Sequence, residues 1–79
     1  MDTPERRTIR AWRLERGMTQ EQLADAVGVS HISVGNWDNG RAEPTSRQLE
    51  KLATVFDVRM DQIAFHKEAA LAERMAQAR

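Results

Sequence analysis

The chain has 79 residues, no cysteine, and 12 basic residues balanced by 12 acidic ones. That length supports one domain near the lower limit at which a hydrophobic core suffices, and the missing cysteines exclude both disulfides and a Cys-ligated zinc site as props. Four Gly, two Pro and no Tyr disfavour a sheet-rich domain, no apolar run approaches the ~18 residues of a membrane span, and MDTPERR is unlike a secretory signal, so the expectation is a small all-α cytoplasmic protein with no membrane contact.

Five helical segments are predicted in chain order. Thr3, Pro4 and Glu5 read as the N-cap, N1 proline and first-turn acid of a helix carrying Ile9 and Trp12 and ending at Gly17. Thr19 and Gln22 form a capping-box pattern, with Met18 and Leu23 as a hydrophobic staple, for a helix running to Val27 and turned by Gly28. Ser30 caps the third helix, in which Gly35 is a central irregularity costing about 1 kcal/mol relative to Ala. Asn39 and Gly40 end it in a left-handed cap. After the loop RAEPTSR, Thr45 and Gln48 offer another capping box, and Leu49, Leu52, Ala53 and Phe56 form the buried stripe of a fourth helix. A short fifth helix is expected around residues 60–66, with Met60, Ile63 and Phe65 as its apolar positions. The tail KEAALAERMAQAR has high helix propensity and little apolar bulk beyond Leu71 and Met75. Residues 1–66 thus form one compact unit, and residues 67–79 a helical extension.

Charge is unevenly placed. Arg6, Arg7, Arg10, Arg13 and Arg16 cluster near the N-terminus, whereas residues 21–39 contain no Lys or Arg. A zero net charge argues mildly against a nucleic-acid binder and predicts weak non-specific DNA binding. On a wheel at 100° per residue, Val34 and Trp37 share one side of the third helix with its cap Ser30. Residues 31, 32, 35, 36 and 39 occupy the other side, with Gly35 near its middle. A centre without a side chain lets such a helix sit deep in a DNA major groove. The alternative is that Gly35 serves close packing on another helix.

Small Ala24 where two helices cross, Gly28 in the turn, and the anchors Val29, Val34 and Trp37 resemble the helix-turn-helix of the phage repressor and Cro-like (xenobiotic-response-element-like) family. The likeness extends through IRAWRLERGMTQEQLADAVGVS, WDNGRAEPTSRQLEKLA and FDVRMDQI, over roughly residues 6–64. It implies a compact five-helix lambda-repressor-like domain, with its motif at 20–39 and its recognition helix at 30–39. It further implies a transcriptional regulator that binds double-stranded operator DNA as a homodimer, on half-sites about one helical turn apart.

Carried over position by position, His31, Ile32 and Asn36 match places that face bases, flanked by Ser30 and Ser33. Asn36 suits a bidentate pair with adenine, His31 a guanine edge, and Ile32 a thymine methyl. A solvated histidine and a stray surface isoleucine are the plain alternatives. Gln20, at a helix start, matches a phosphate contact, and Arg41 and Arg47 match positions that grip the flanking backbone. Arg13 and Asp38 match a pair that braces the recognition helix, while Trp12, Ala24, Gly28, Val34, Trp37 and Gly40 take structural roles. Trp12 stands where the family usually has Leu, and Arg59 where a Ser or Thr would cap the fifth helix. The family's dimer contacts point to Met60, Ile63 and Phe65, extended by Leu71 and Met75; a frayed tail is the competing expectation.

Neither histidine has companions at metal-ligand spacing, so no metal site is expected. VGNWDNG does not fit a phosphate-binding loop, and no paired acid and base suggest catalysis or a cofactor. Two rival functions remain: a protein-interaction module, such as an antitoxin or co-regulator, and a DNA-binding module severed from a recombinase or nuclease. Neutral charge favours the first; the polar outward face at 31–39 disfavours it.

Overall fold

Four helices in this chain start where a side-chain oxygen satisfies a first-turn N–H that has no intrahelical partner. The computed structural model describes residues 5–77. Thr19 and Thr45 each accept from the backbone N–H three residues on, and Gln22 and Gln48 reciprocate, so both capping boxes close. They open α2 (Gln20–Val27) and α4 (Ser46–Phe56). Ser30 accepts from Ser33 N–H and opens α3 (His31–Asp38).

The first helix departs from expectation. Thr3 and Pro4 lie outside the described residues, Glu5 and Arg6 have no regular structure, and Arg7–Thr8 form a short strand, β1. Helix α1 therefore begins at Ile9 and runs to Glu15, capped by Thr8, whose hydroxyl accepts from Ala11 N–H at 3.2 Å. The reason is non-local. β1 pairs in parallel with β2 (Ile63–Ala64), aligning Arg7 with Ile63 and Thr8 with Ala64.

That pairing also removes the expected fifth helix at 60–66. Met60–Gln62 form a single 3-10 turn, β2 follows, and α5 runs from His66 to Gln77. The expected boundary between unit and tail thus falls at the first residue of a continuous helix. Arg59 supplies no side-chain cap; instead Gln62 accepts its N–H at 2.9 Å. Asp57 takes the left-handed conformation (φ 58°) that ends α4.

The core lies between α1, α2, α3, α4 and β2. It is built from Ile9, Trp12, Leu23, Ala24, Val27, Val34, Trp37, Leu52, Ala53, Phe56 and Ile63, with Met18, Val29 and Leu49 half-buried against it. Each fully enclosed side chain such as Leu23, Leu52 or Phe56 contributes about 1.5–3 kcal/mol of apolar transfer. Trp12 is buried in this core, and its indole N–H donates to the Gln62 carbonyl at 2.8 Å. Arg6 fastens α5 to the N-terminal segment: it donates to both Glu68 carboxylate oxygens, at 2.7 and 2.6 Å, and to the Asp61 carbonyl. The hydrogen bond to Glu68, partly opposed by desolvation, holds the Arg6 guanidinium above its ordinary pKa.

Candidate nucleic-acid interface

The turn between α2 and α3 is set by Gly28, whose φ of 84° places it in the region open to glycine. The N–H groups of Gly28 and Val29 both return to the Ala24 carbonyl, at 2.8 and 3.0 Å. α3 then lies across α2 with Val34 and Trp37 buried beneath it. Its far end finishes at Gly40 (φ 78°), where the N–H groups of Arg41 and Ala42 close on the Asn36 carbonyl.

An ion pair fixes the angle of α3. Arg13 donates to Asp38 Oδ2 at 2.9 Å, and the two side chains are only 10% and 7% exposed. Arg13 also donates to the Met18 carbonyl at 2.7 Å, which ties the pair to the loop before α2. Arg13 Nε and Asp38 Oδ1 are buried without a protein partner, so the pair is desolvated and only partly hydrogen-bonded. Gln20 joins it, its amide donating to Asp38 Oδ2 at 3.0 Å. The side chain expected to meet a phosphate is thus engaged inside the protein.

The opposite side of α3 is open. Ser30, His31 and Ile32 are exposed, Ile32 by 65%, while Ser33, Gly35 and Asn36 are half-buried on the same approach. Ser30 and Ser33 hydroxyls share a hydrogen bond at 3.3 Å. A Cβ built on Gly35 meets only the Gln20 amide, at 3.8 and 3.9 Å, which is ordinary contact. Gly35 is therefore not required for helix packing. Arg41 and Arg47 are exposed beyond the end of α3 and at the start of α4.

The residues expected at a dimer contact divide. Ile63 is 2% exposed and belongs to the core, because β2 turns its side chain inward; the expectation that it meets a partner is corrected. Met60 and Phe65 are part-exposed, and Leu71 and Met75 are 57% and 65% exposed on α5. Two features escaped the sequence reading. His66 packs its ring over Gly40, so close that a Cβ on that glycine would lie 2.4 Å from Nδ1. Arg6 and Glu68, 62 residues apart, carry no local signal of their pairing. Among the described residues no group of three His, Cys, Asp or Glu side chains is arranged to hold a metal ion, and no helix is long and apolar enough to cross a membrane.

This arrangement agrees with what the chain is similar to. The helix-turn-helix family model matches residues 9–63. A protein of Archaeoglobus fulgidus, named as an uncharacterized HTH-type transcriptional regulator, is 38% identical over 58 residues, or 73% of this chain and 83% of its own length. A second regulator so named from the same organism is 32% identical over 69 residues, covering 87% and 97%. The HTH-type transcriptional regulator DicA of Escherichia coli is 40% identical over 50 residues, 63% of this chain but only 37% of DicA. No solved structure matches the chain significantly. With most of its length matched, and with α2, the Gly28 turn and the braced α3 in place, the chain belongs to the Cro/C1-type helix-turn-helix family of DNA-binding transcriptional regulators.

Proposed function

We propose that this protein regulates transcription in the cytoplasm by binding operator DNA as a homodimer, with α3 in the major groove. One observation carries the reading: α3 is braced from behind by Val34, Trp37 and the Arg13–Asp38 pair, while its first turn presents Ser30, His31, Ile32 and Ser33 outward. Asn36, one turn on, completes the base-reading set, with adenine N6/N7 as its partner. Arg41 and Arg47 contact the flanking backbone, and so do the first-turn N–H groups of α2 at Gln20. The reading unit lies within residues 1–66, and the 67–79 extension adds Leu71 and Met75 to a dimer surface with Met60 and Phe65.

Selection of duplexes from a random pool tests this directly. An inverted repeat with half-sites about one helical turn apart is the expected product. Asn36→Ala should then cost about 1–3 kcal/mol on the selected site and relax preference at one base position. Equal loss on selected and random DNA would remove Asn36 from base reading. An exposed Ile32 and zero net charge also suit a protein-binding role, and a pool that yields no enriched sequence would favour that reading.

A further inference from the structure

The N-terminal arginine cluster is largely engaged within the fold. Arg6 holds Glu68; Arg7 holds Glu5 at 2.7 Å and Glu15 at 3.1 Å; Arg13 holds Asp38; and Arg16 donates to the Phe56 carbonyl at 2.9 Å. Among the described residues, Arg10 is the one member of this cluster with neither a carboxylate at ion-pair distance nor a carbonyl acceptor. It is exposed on α1 and lines an open cleft of about 400 Å³ with Arg13, Gln20, Gly35, Asp38 and Asn39.

That cleft is where three elements meet: α1, the start of α2 and the end of α3. Its inner charges are already matched, because Asp38 takes both Arg13 and the Gln20 amide. Arg13, nine-tenths buried, retains an Nε with no acceptor. Arg10 therefore supplies the uncompensated charge of the cleft, beside the N-terminal end of α2, whose dipole has the same sign. Gly35 and Asn39 belong both to this cleft and to the outward side of α3, so a strand bordering a groove entered by α3 passes the cleft mouth. On its other side Arg10 shares a second cleft with His66 and Glu73 of α5, without forming an ion pair to Glu73.

We infer that Arg10 binds a DNA phosphodiester and anchors the backbone strand at the α1–α2 side of the recognition helix. The inference rests on the proposed DNA binding and adds a contact that the helix-turn-helix alone does not supply. A single phosphate contact contributes about 0.9 to the slope of log affinity against log salt, or about eightfold between 1 M and 0.1 M salt.

The test measures binding of the full chain and of Arg10→Ala and Arg10→Lys to a pool-selected duplex and to a random-sequence duplex, across a salt series. Arg10→Ala should weaken both duplexes by the same factor, up to about eightfold per protomer at 0.1 M, and lower the salt slope by about 0.9 per protomer, or about 1.8 for the homodimer. Arg10→Lys should restore most of the slope. Unchanged affinity and slope in Arg10→Ala overturn the inference while leaving the proposed function standing. Loss on the selected duplex alone also overturns it, since that is base reading. Failure of the unsubstituted protein to bind either duplex overturns the proposed function and this inference together. A thermal melt of each variant separates lost binding from lost folding.

Discussion

α3 and α5 are held to the same body by opposite means. Two enclosed apolar side chains, Val34 and Trp37, and a desolvated ion pair fix α3. α5 is held by an exposed pair, Arg6 with Glu68, and by an exposed histidine lying on Gly40. Burial makes the first attachment stiff, because moving α3 would open the core and separate charges where water is excluded. Solvent screens the second, so α5 belongs to the low-stability end of the fold, where local opening is least costly. The helix proposed to read DNA is the stiffly held one, and the helix proposed to meet a second copy is the loosely held one.

Breaking the stiff attachment should have the largest effect. Asp38→Ala leaves Arg13 buried and unpaired and removes the acceptor of Gln20, so denaturant unfolding should show a loss of about 3–5 kcal/mol. A loss below about 1 kcal/mol would mean that the pair does not brace α3. Gly40→Ala strikes the junction of the two attachments. The left-handed backbone alone costs about 1–3 kcal/mol, and the new Cβ also displaces His66. Adding His66→Ala should recover only the steric share; full recovery would assign the whole cost to the ring.

Gly35→Ala is expected to run the other way. Space for the Cβ exists beside Gln20, so the fold should gain about 1 kcal/mol from helix propensity. DNA affinity should fall at the same time if the centre of α3 is the point of closest approach. A more stable variant that binds DNA as well as the parent would take that role from Gly35. Smallest is Glu68→Gln, where an exposed pair contributes about 0.2–1 kcal/mol. A loss above about 2 kcal/mol in thermal melts would show that α5 is a cooperative part of the core and would undo the contrast.

Much of the motif was legible because its signals are local and agree with packing. Thr19 with Gln22, Thr45 with Gln48, and Ser30 all cap helices where their spacing predicts, and Leu52, Ala53 and Phe56 line one helical face. The start of α1 misleads for the opposite reason. Thr3-Pro4-Glu5 is a richer capping signal than Thr8, yet Thr8 caps, because strand pairing with Ala64 holds Arg7 and Thr8 extended. Met60 and Ile63 share a helical spacing that the chain does not use; Ile63 sits in a two-residue strand too short to show any alternation. Of the candidate site, the resemblance located the outward residues of α3, but it gave no sign that Gln20 would turn to Asp38 or that Arg10 would have no partner among the described residues.

The sequence by itself determined where α2, α3 and α4 begin, which of their faces are apolar, and that a glycine turn joins α2 to α3. Those outcomes depend on residues within about four positions of one another, and so on hydrogen bonds and periodicity that any short segment carries. Tertiary structure decided the rest. It started α1 at Ile9 with Thr8 as its cap, drew Ile63 into the core, engaged four of the five N-terminal arginines and left Arg10 without an ion pair among the described residues, and set His66 against Gly40. Apart from Arg7, whose partners Glu5 and Glu15 are local, each joins positions 25 to 62 residues apart or turns on what such contacts leave over, and only a closed core brings them within bonding distance.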